Sequence, residues 1–123
     1  MTSNVLIVDD SAAIRKILAR VLHQTEIISG TIYEAGDGLQ ALEVMRNNPV
    51  SLVLSDSNMP NMDGLEFLKA LCANTDWAKV PVLMITTEGS QTMVMEAVQA
   101  GASGYVRKPF TAEQIREKLT SLL

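Results

Sequence analysis

Val5-Leu6-Ile7-Val8-Asp9-Asp10 is an unbroken apolar run that stops on two carboxylates. Three later runs also end on polar groups: Leu52-Val53-Leu54 into Ser55-Asp56, Val82-Leu83-Met84-Ile85 into Thr86-Thr87, and Tyr105-Val106 into Arg107-Lys108. Read as parallel strands, they bring their carboxyl ends to one edge of a sheet, where open α/β sheets bind ligands. Asp9, Asp10 and Asp56, the Thr86 hydroxyl and the Lys108 ammonium then converge. Carboxylates that close repel one another, which raises the cost of ionising all of them unless a cation or a lysine neutralises the cluster. The set calls for a divalent metal.

Between these runs lie amphipathic segments. Ile14, Ile17, Leu18, Val21 and Leu22 repeat at the spacing of one helix face and predict a first helix starting near Ser11. Leu39, Leu42 and Met45 after Asp37-Gly38, and Leu65, Leu68, Leu71 and Cys72 after Asp63-Gly64, suit two helices entered from tight turns. A fourth helix runs from about Ser90 to Ala100 and stops at Gly101. The fifth opens at Thr111 with Gln114 three residues on, a capping box, and continues through Ile115, Leu119 and Leu122. Strands covered on both faces read as continuous apolar runs, whereas edge strands are short and mixed. Thr31-Ile32-Tyr33-Glu34-Ala35 alternates and Gly104-Tyr105-Val106 is barely a strand, so the second and fifth strands belong at the edges. The pattern predicts an α/β chain with strand order 2-1-3-4-5, its switch point between the strands that carry Asp9-Asp10 and Asp56.

The 123 residues, 47% of them hydrophobic, are expected to form one domain over 1–123 with no linker, repeat or attached output domain. No apolar stretch approaches the roughly 18 residues of a membrane span, and Met1-Thr2-Ser3-Asn4 has no basic lead into a signal sequence. A soluble, cytoplasmic protein is expected. A net charge of −4 without a Lys/Arg cluster argues against nucleic acid. Cys72, among apolar residues at helical spacing, reads as a buried structural thiol, and His23 as a surface or helix-end residue.

An aspartate at a strand end is usually a loop residue or helix cap, and Asp10 or Asp56 alone would be read that way. Together they are different. Asp9 and Asp10 end the most apolar strand, where charge is costly unless used, and Ser11 is available to cap the first helix in their place. Lys108 lies between an apolar strand and Pro109, which limits where its ammonium can go.

Asp9-Asp10, Asp56-Ser57-Asn58-Met59-Pro60, Thr86-Thr87 and Gly104-Tyr105-Val106-Arg107-Lys108-Pro109-Phe110 resemble the receiver domain of two-component response regulators. The match spans the chain, with its motifs in order over four strands, and is most like the stand-alone receivers of bacterial chemotaxis. The resemblance implies a flavodoxin-like (βα)5 doubly wound parallel sheet and a signalling switch that acts on itself and is otherwise no enzyme. It makes Asp56 the phosphoacceptor for a histidine kinase. Asp10 and Asp56 would ligate Mg²⁺ directly, Asn58 through its backbone carbonyl and Asp9 mainly through water, an oxygen-only set that suits this ion. Lys108 would neutralise the transferring oxygens, Thr86 would rotate to bond one of them, and Tyr105 would follow from an outward to an inward rotamer. Asn58 and Glu88 would flank the path of the hydrolytic water and set the phosphoryl lifetime. Thr87 stands where relatives often carry a smaller residue and would narrow access; the Lys108-Pro109 bond would be cis.

Output is expected through the fourth helix, fifth strand and fifth helix of a monomer. Met93-Val94-Met95-Glu96-Ala97-Val98 carries more apolar residues than one core stripe needs. Met95 and Val98 are assigned partly to the core, Met93, Val94 and Tyr105 to a target protein, and Gln114 and Lys118 to the rim. A phosphatase is a further expected partner; a relay intermediate or phosphate sink is the alternative to chemotaxis. A phosphohydrolase with an aspartyl nucleophile ranks low, because such enzymes generally place an acid two residues after the nucleophile, where Asn58 stands. A nucleotide or flavin module is disfavoured by Asp9-Asp10-Ser11-Ala12-Ala13, which has no glycine and the wrong charge for a phosphate. A receiver-like binder that is never phosphorylated would be expected to have lost a site residue, and none is missing.

Overall fold

The computed structural model describes residues 4–25, 30–86 and 91–122, with the side chains of Thr25, Gln91 and Met93 outside that description. Five strands, β1 (Val5–Val8), β2 (Ile32–Ala35), β3 (Leu52–Ser55), β4 (Val82–Thr86) and β5 (Gly104–Arg107), alternate with α1 (Ala12–Thr25), α2 (Gly38–Asn47), α3 (Gly64–Ala73), α4 (Gln91–Ala100) and α5 (Ala112–Leu122). All pairings are parallel and the order is β2-β1-β3-β4-β5, as the strand characters predict. Every residue of β1, β3 and β4 is buried, while β2 and β5 are only partly covered.

Strand side chains alternate between two apolar layers, as a period of two requires. Leu6, Val8, Val53 and Met84 pack with Ala41, Leu42 and Met45 of α2, Phe67, Leu68 and Leu71 of α3, and Ala97 of α4. Val5, Ile7, Leu54, Ile85 and Val106 face the other way, onto Leu18, Val21 and Leu22 of α1 and Ile115 and Leu119 of α5.

Side-chain oxygens satisfy the first amides of the helices. Ser11 Oγ accepts from Ile14 N at 3.3 Å, and Asp37 Oδ1 from Gln40 N at 2.8 Å. Asp63 and Glu66 form a reciprocal capping box at α3. Thr111 and Gln114 form the one expected at α5.

Five residues expected to face the core face solvent wholly or in large part. Cys72 is exposed; it lies on the flank of the Gly64, Phe67, Leu68, Leu71 stripe, against Gly101. Leu39 is exposed because the buried stripe of α2 is Gly38, Ala41, Leu42 and Met45, and one residue turns about 100° around a helix. Ile17 is likewise on a flank and exposed. Met95 and Val98 are 53% and 61% exposed, not core-facing; Ala97 carries the contact between α4 and the core. His23 is exposed at the end of α1, as expected. Among the described residues no helix is long and apolar enough to cross a membrane.

Candidate acidic metal and phosphoryl site

The parallel register pairs Val8 with Ser55, so the residues that follow, Asp9 and Asp56, leave neighbouring strands side by side. Asp9 N–H donates to Ala35 O at 3.0 Å and Asp56 N–H to Val8 O at 2.8 Å, extending the ladder under both acids. Asp9 is 2% exposed and Asp56 8%, while Asp10 stands in solvent. Carboxylate oxygens of all three lie within 4.8 Å of one another.

Lys108 arrives from the end of β5, its N–H donating to Thr86 O at 2.7 Å, and its peptide bond to Pro109 is cis. The ammonium donates to Asp9 Oδ2 at 2.8 Å and sits 3.6 Å from Asp56 Oδ2. Ser11 N–H donates to Asp9 Oδ1 at 2.9 Å, and Ser57 N–H to Asp56 Oδ1 at 2.8 Å. Burial pushes the Asp56 carboxyl above its ordinary value; the nearby Lys108 charge opposes this and the Asp9 charge adds to it. One ammonium against three carboxylates leaves a surplus of negative charge in oxygen donors, with no histidine or cysteine among them. That donor set fits a hard divalent ion such as Mg²⁺.

Thr86 ends β4 with 1% exposure, and its Oγ1 shares a hydrogen bond with Ser57 Oγ. Tyr105 is half-buried on β5 and borders a groove of about 420 Å³ with Val106, Arg107, Lys108, Pro109, Gln114 and Lys118. Asn58 is exposed on the loop after Asp56. Val94 is half-buried on α4; Thr87, Glu88 and the Met93 side chain lie outside the described residues.

Several contributors were not singled out from the sequence. Arg15 donates from Nη1 to Asp9 O at 2.6 Å and from Nε to Glu34 Oε1 at 2.9 Å, tying the end of β1 to β2. The loop after Asp56 is fastened to the start of α2: Asn61 Nδ2 donates to Asp37 Oδ2 at 2.8 Å and Gly38 N–H to Met62 O at 3.0 Å. Asn61 has φ 66°, a left-handed conformation that asparagine tolerates. The Asp37-Gly38 pair and Asn61 between Pro60 and Asp63 carried turn signals; Ser57 and Arg15 carried none that distinguishes them from a solvated side chain.

A family model described as the response regulator receiver domain matches residues 5–120. Chemotaxis protein CheY-3 of Vibrio cholerae is 40% identical over 118 residues, covering 96% of this chain and 89% of that protein. The chemotaxis protein CheY homolog of Campylobacter jejuni is 37% identical over 119 residues, 96% of this chain and 90% of that protein. The solved structure of Vibrio cholerae chemotaxis protein CheY4 matches with a TM-score of 0.90 at 34% identity over 100% of both chains. With the motifs, the sheet order and the relatives in agreement, this chain belongs to the response regulator receiver domain family of two-component signalling proteins.

Proposed function

We propose that this receiver is a phosphorylation-activated switch that takes a phosphoryl group from a histidine kinase onto Asp56 and signals by binding a target protein. The observation that carries the reading is the meeting of Asp9, Asp10 and Asp56 within 4.8 Å of one another, with the Lys108 ammonium against Asp9 and Asp56. An Asp56 oxygen attacks phosphorus, the phosphorus–nitrogen bond of the phosphohistidine breaks, and the imidazole leaves with the electron pair. Asp10, Asp56 and the Asn58 carbonyl would hold Mg²⁺, with Asp9 acting mainly through water. The bound ion supplies the positive charge that lets an acidic pocket accept a phosphoryl dianion. Lys108, already close to Asp56, neutralises the transferring oxygens. Thr86 turns its hydroxyl toward the product, and Tyr105 shifts inward behind it. The names of the relatives support a place in chemotaxis.

Acetyl phosphate tests the reading without a kinase. Intact mass should show one added phosphate with Mg²⁺, and none with chelator or in Asp56→Asn. Labelling of Asp56→Asn on another residue contradicts the assignment.

The phosphoryl group is expected to be short-lived, because polar Asn58 and Glu88 orient the hydrolytic water. Replacing both with apolar residues should slow loss of phosphate measured by mass over time. Loss at the parent rate removes that role from both side chains.

The output face is α4, β5 and α5, with Met93, Val94 and Tyr105 as contacts and Gln114 and Lys118 at the rim. Exposed Met95 and Val98 add apolar surface that no core contact requires. Beryllofluoride with Mg²⁺ should shift the amides of α4 and Tyr105 as well as those of the acidic site. Shifts confined to the acidic site contradict this face.

A further inference from the structure

We infer that Ser57 is a positioning residue that latches the Thr86 hydroxyl and so sets how readily the switch turns on; this rests on the reading of Asp56 as phosphoacceptor. The β3–β4 register pairs Ser55 with Met84, and two residues further along each chain come Ser57 and Thr86. Side chains two residues apart on a strand share a face, so Thr86 continues the side of β4 on which Met84 packs with α2, α3 and α4, and the bend after β3 brings Ser57 to it. Asp56 follows the opposite parity, that of Leu54 and Ile85, toward α1 and α5. Ser57 and Thr86 are 3% and 1% exposed, and their hydroxyls share a hydrogen bond beside the phosphoacceptor. Ser57 is also fixed from its backbone, where its N–H donates to Asp56 Oδ1 at 2.8 Å and its carbonyl accepts from Gly64 N–H at 3.0 Å.

Either hydroxyl can donate in that bond, so what it fixes is the place of Thr86 Oγ1. For Thr86 to donate to a phosphoryl oxygen on Asp56, its Oγ1 must swing across the sheet edge and away from Ser57 Oγ. The bond therefore belongs to the resting arrangement and is given up in the active one. A neutral hydrogen bond of this kind is worth about a fivefold bias in a two-state equilibrium. Ser57 thus holds the receiver toward its resting state, and removing its hydroxyl favours the active state.

Beryllofluoride with Mg²⁺, titrated while amide spectra are recorded, gives an apparent affinity for the active state. Binding by the parent that is lost in Asp56→Asn tests the phosphoacceptor reading by itself; a parent that does not bind overturns that reading and the latch with it. Given binding, Ser57→Ala should bind about fivefold more tightly, and Ser57→Thr, which keeps the hydroxyl, should return to the parent value. In a Thr86→Ala background, Ser57→Ala should change nothing, a coupling that a purely structural role for Ser57 does not produce. Unchanged or weaker binding by Ser57→Ala, with its free spectrum still that of a folded chain, overturns the latch alone. The same tightening in the Thr86→Ala background also overturns it.

Discussion

Gly64→Ala is expected to destabilise the protein by roughly 3 kcal/mol, a fall of about 10–15 °C in melting temperature for a chain of this size. A Cβ built at Gly64 runs into the Asp56 carbonyl and crowds Ser57 Cα. Those atoms are backbone and cannot swing aside as a side chain end would. The loop from Asp56 to α3 is closed by Gly64 N–H donating to Ser57 O at 3.0 Å, so relief requires moving Asp56 or the start of α3. Both options damage the site. A displacement of about 1 Å at the reacting group costs on the order of 10²-fold in rate, so the fraction that stays folded should also be slow with acetyl phosphate. Urea unfolding checks the first effect and mass-detected labelling the second; a parent-like midpoint contradicts the packing account.

Asp56→Asn should act in opposite directions on stability and function. Phosphoryl acceptance is lost altogether, because an amide is no nucleophile for phosphorus here, yet the metal-free protein should gain about 1 kcal/mol near neutral pH. Burial and the Asp9 charge raise the folded-state pKa of Asp56 above its unfolded value, with Lys108 only partly offsetting them. Between those two values the folded state binds more protons than the unfolded one, so stability contributed by the protonated carboxyl is present below the window and falls as pH rises through it. Asparagine removes that loss. The variant's advantage should therefore be absent at pH below the ordinary carboxylate value and full above the raised one. Mg²⁺ held at the proposed site should shrink or reverse the gap at neutral pH by stabilising the parent's folded state. Thermal unfolding over pH, with and without metal, checks this; a variant less stable than the parent at every pH contradicts the charge-burial account.

The strand runs were legible because β1, β3 and β4 are buried on both faces and leave no room for polar residues. Asp9 and Asp56 were legible for the same reason, each following such a strand, and Lys108 because it falls between the edge strand β5 and Pro109; the structure brings the three into ion-pair range. Hydrophobic spacing failed where small residues take the core positions. Gly38 and Ala41 occupy the buried stripe of α2, and Ala97 that of α4, so apolar spacing points Leu39 inward, and Met95 and Val98 partly inward, although all three face solvent. Gly64 reads as a turn glycine in Asp63-Gly64, whereas its position is set by close approach to Asp56, a contact no local pattern reveals. The partners Ser57 and Thr86, and Asp37 and Asn61, lie 29 and 24 residues apart and meet only through the topology.

On the proposed reading, the buried carboxylate of Asp56, grouped with Asp9, Asp10 and Lys108, accepts a phosphoryl group when Mg²⁺ is present. An acyl phosphate is reduced by borohydride to the alcohol, so treating the parent with acetyl phosphate and Mg²⁺, then borohydride, and sequencing its peptides by mass marks the acceptor directly. Homoserine at position 56 alone, and nowhere after chelation, is the predicted result. An unmodified Asp56, or homoserine at Asp9 or Asp10 in its place, would contradict the account.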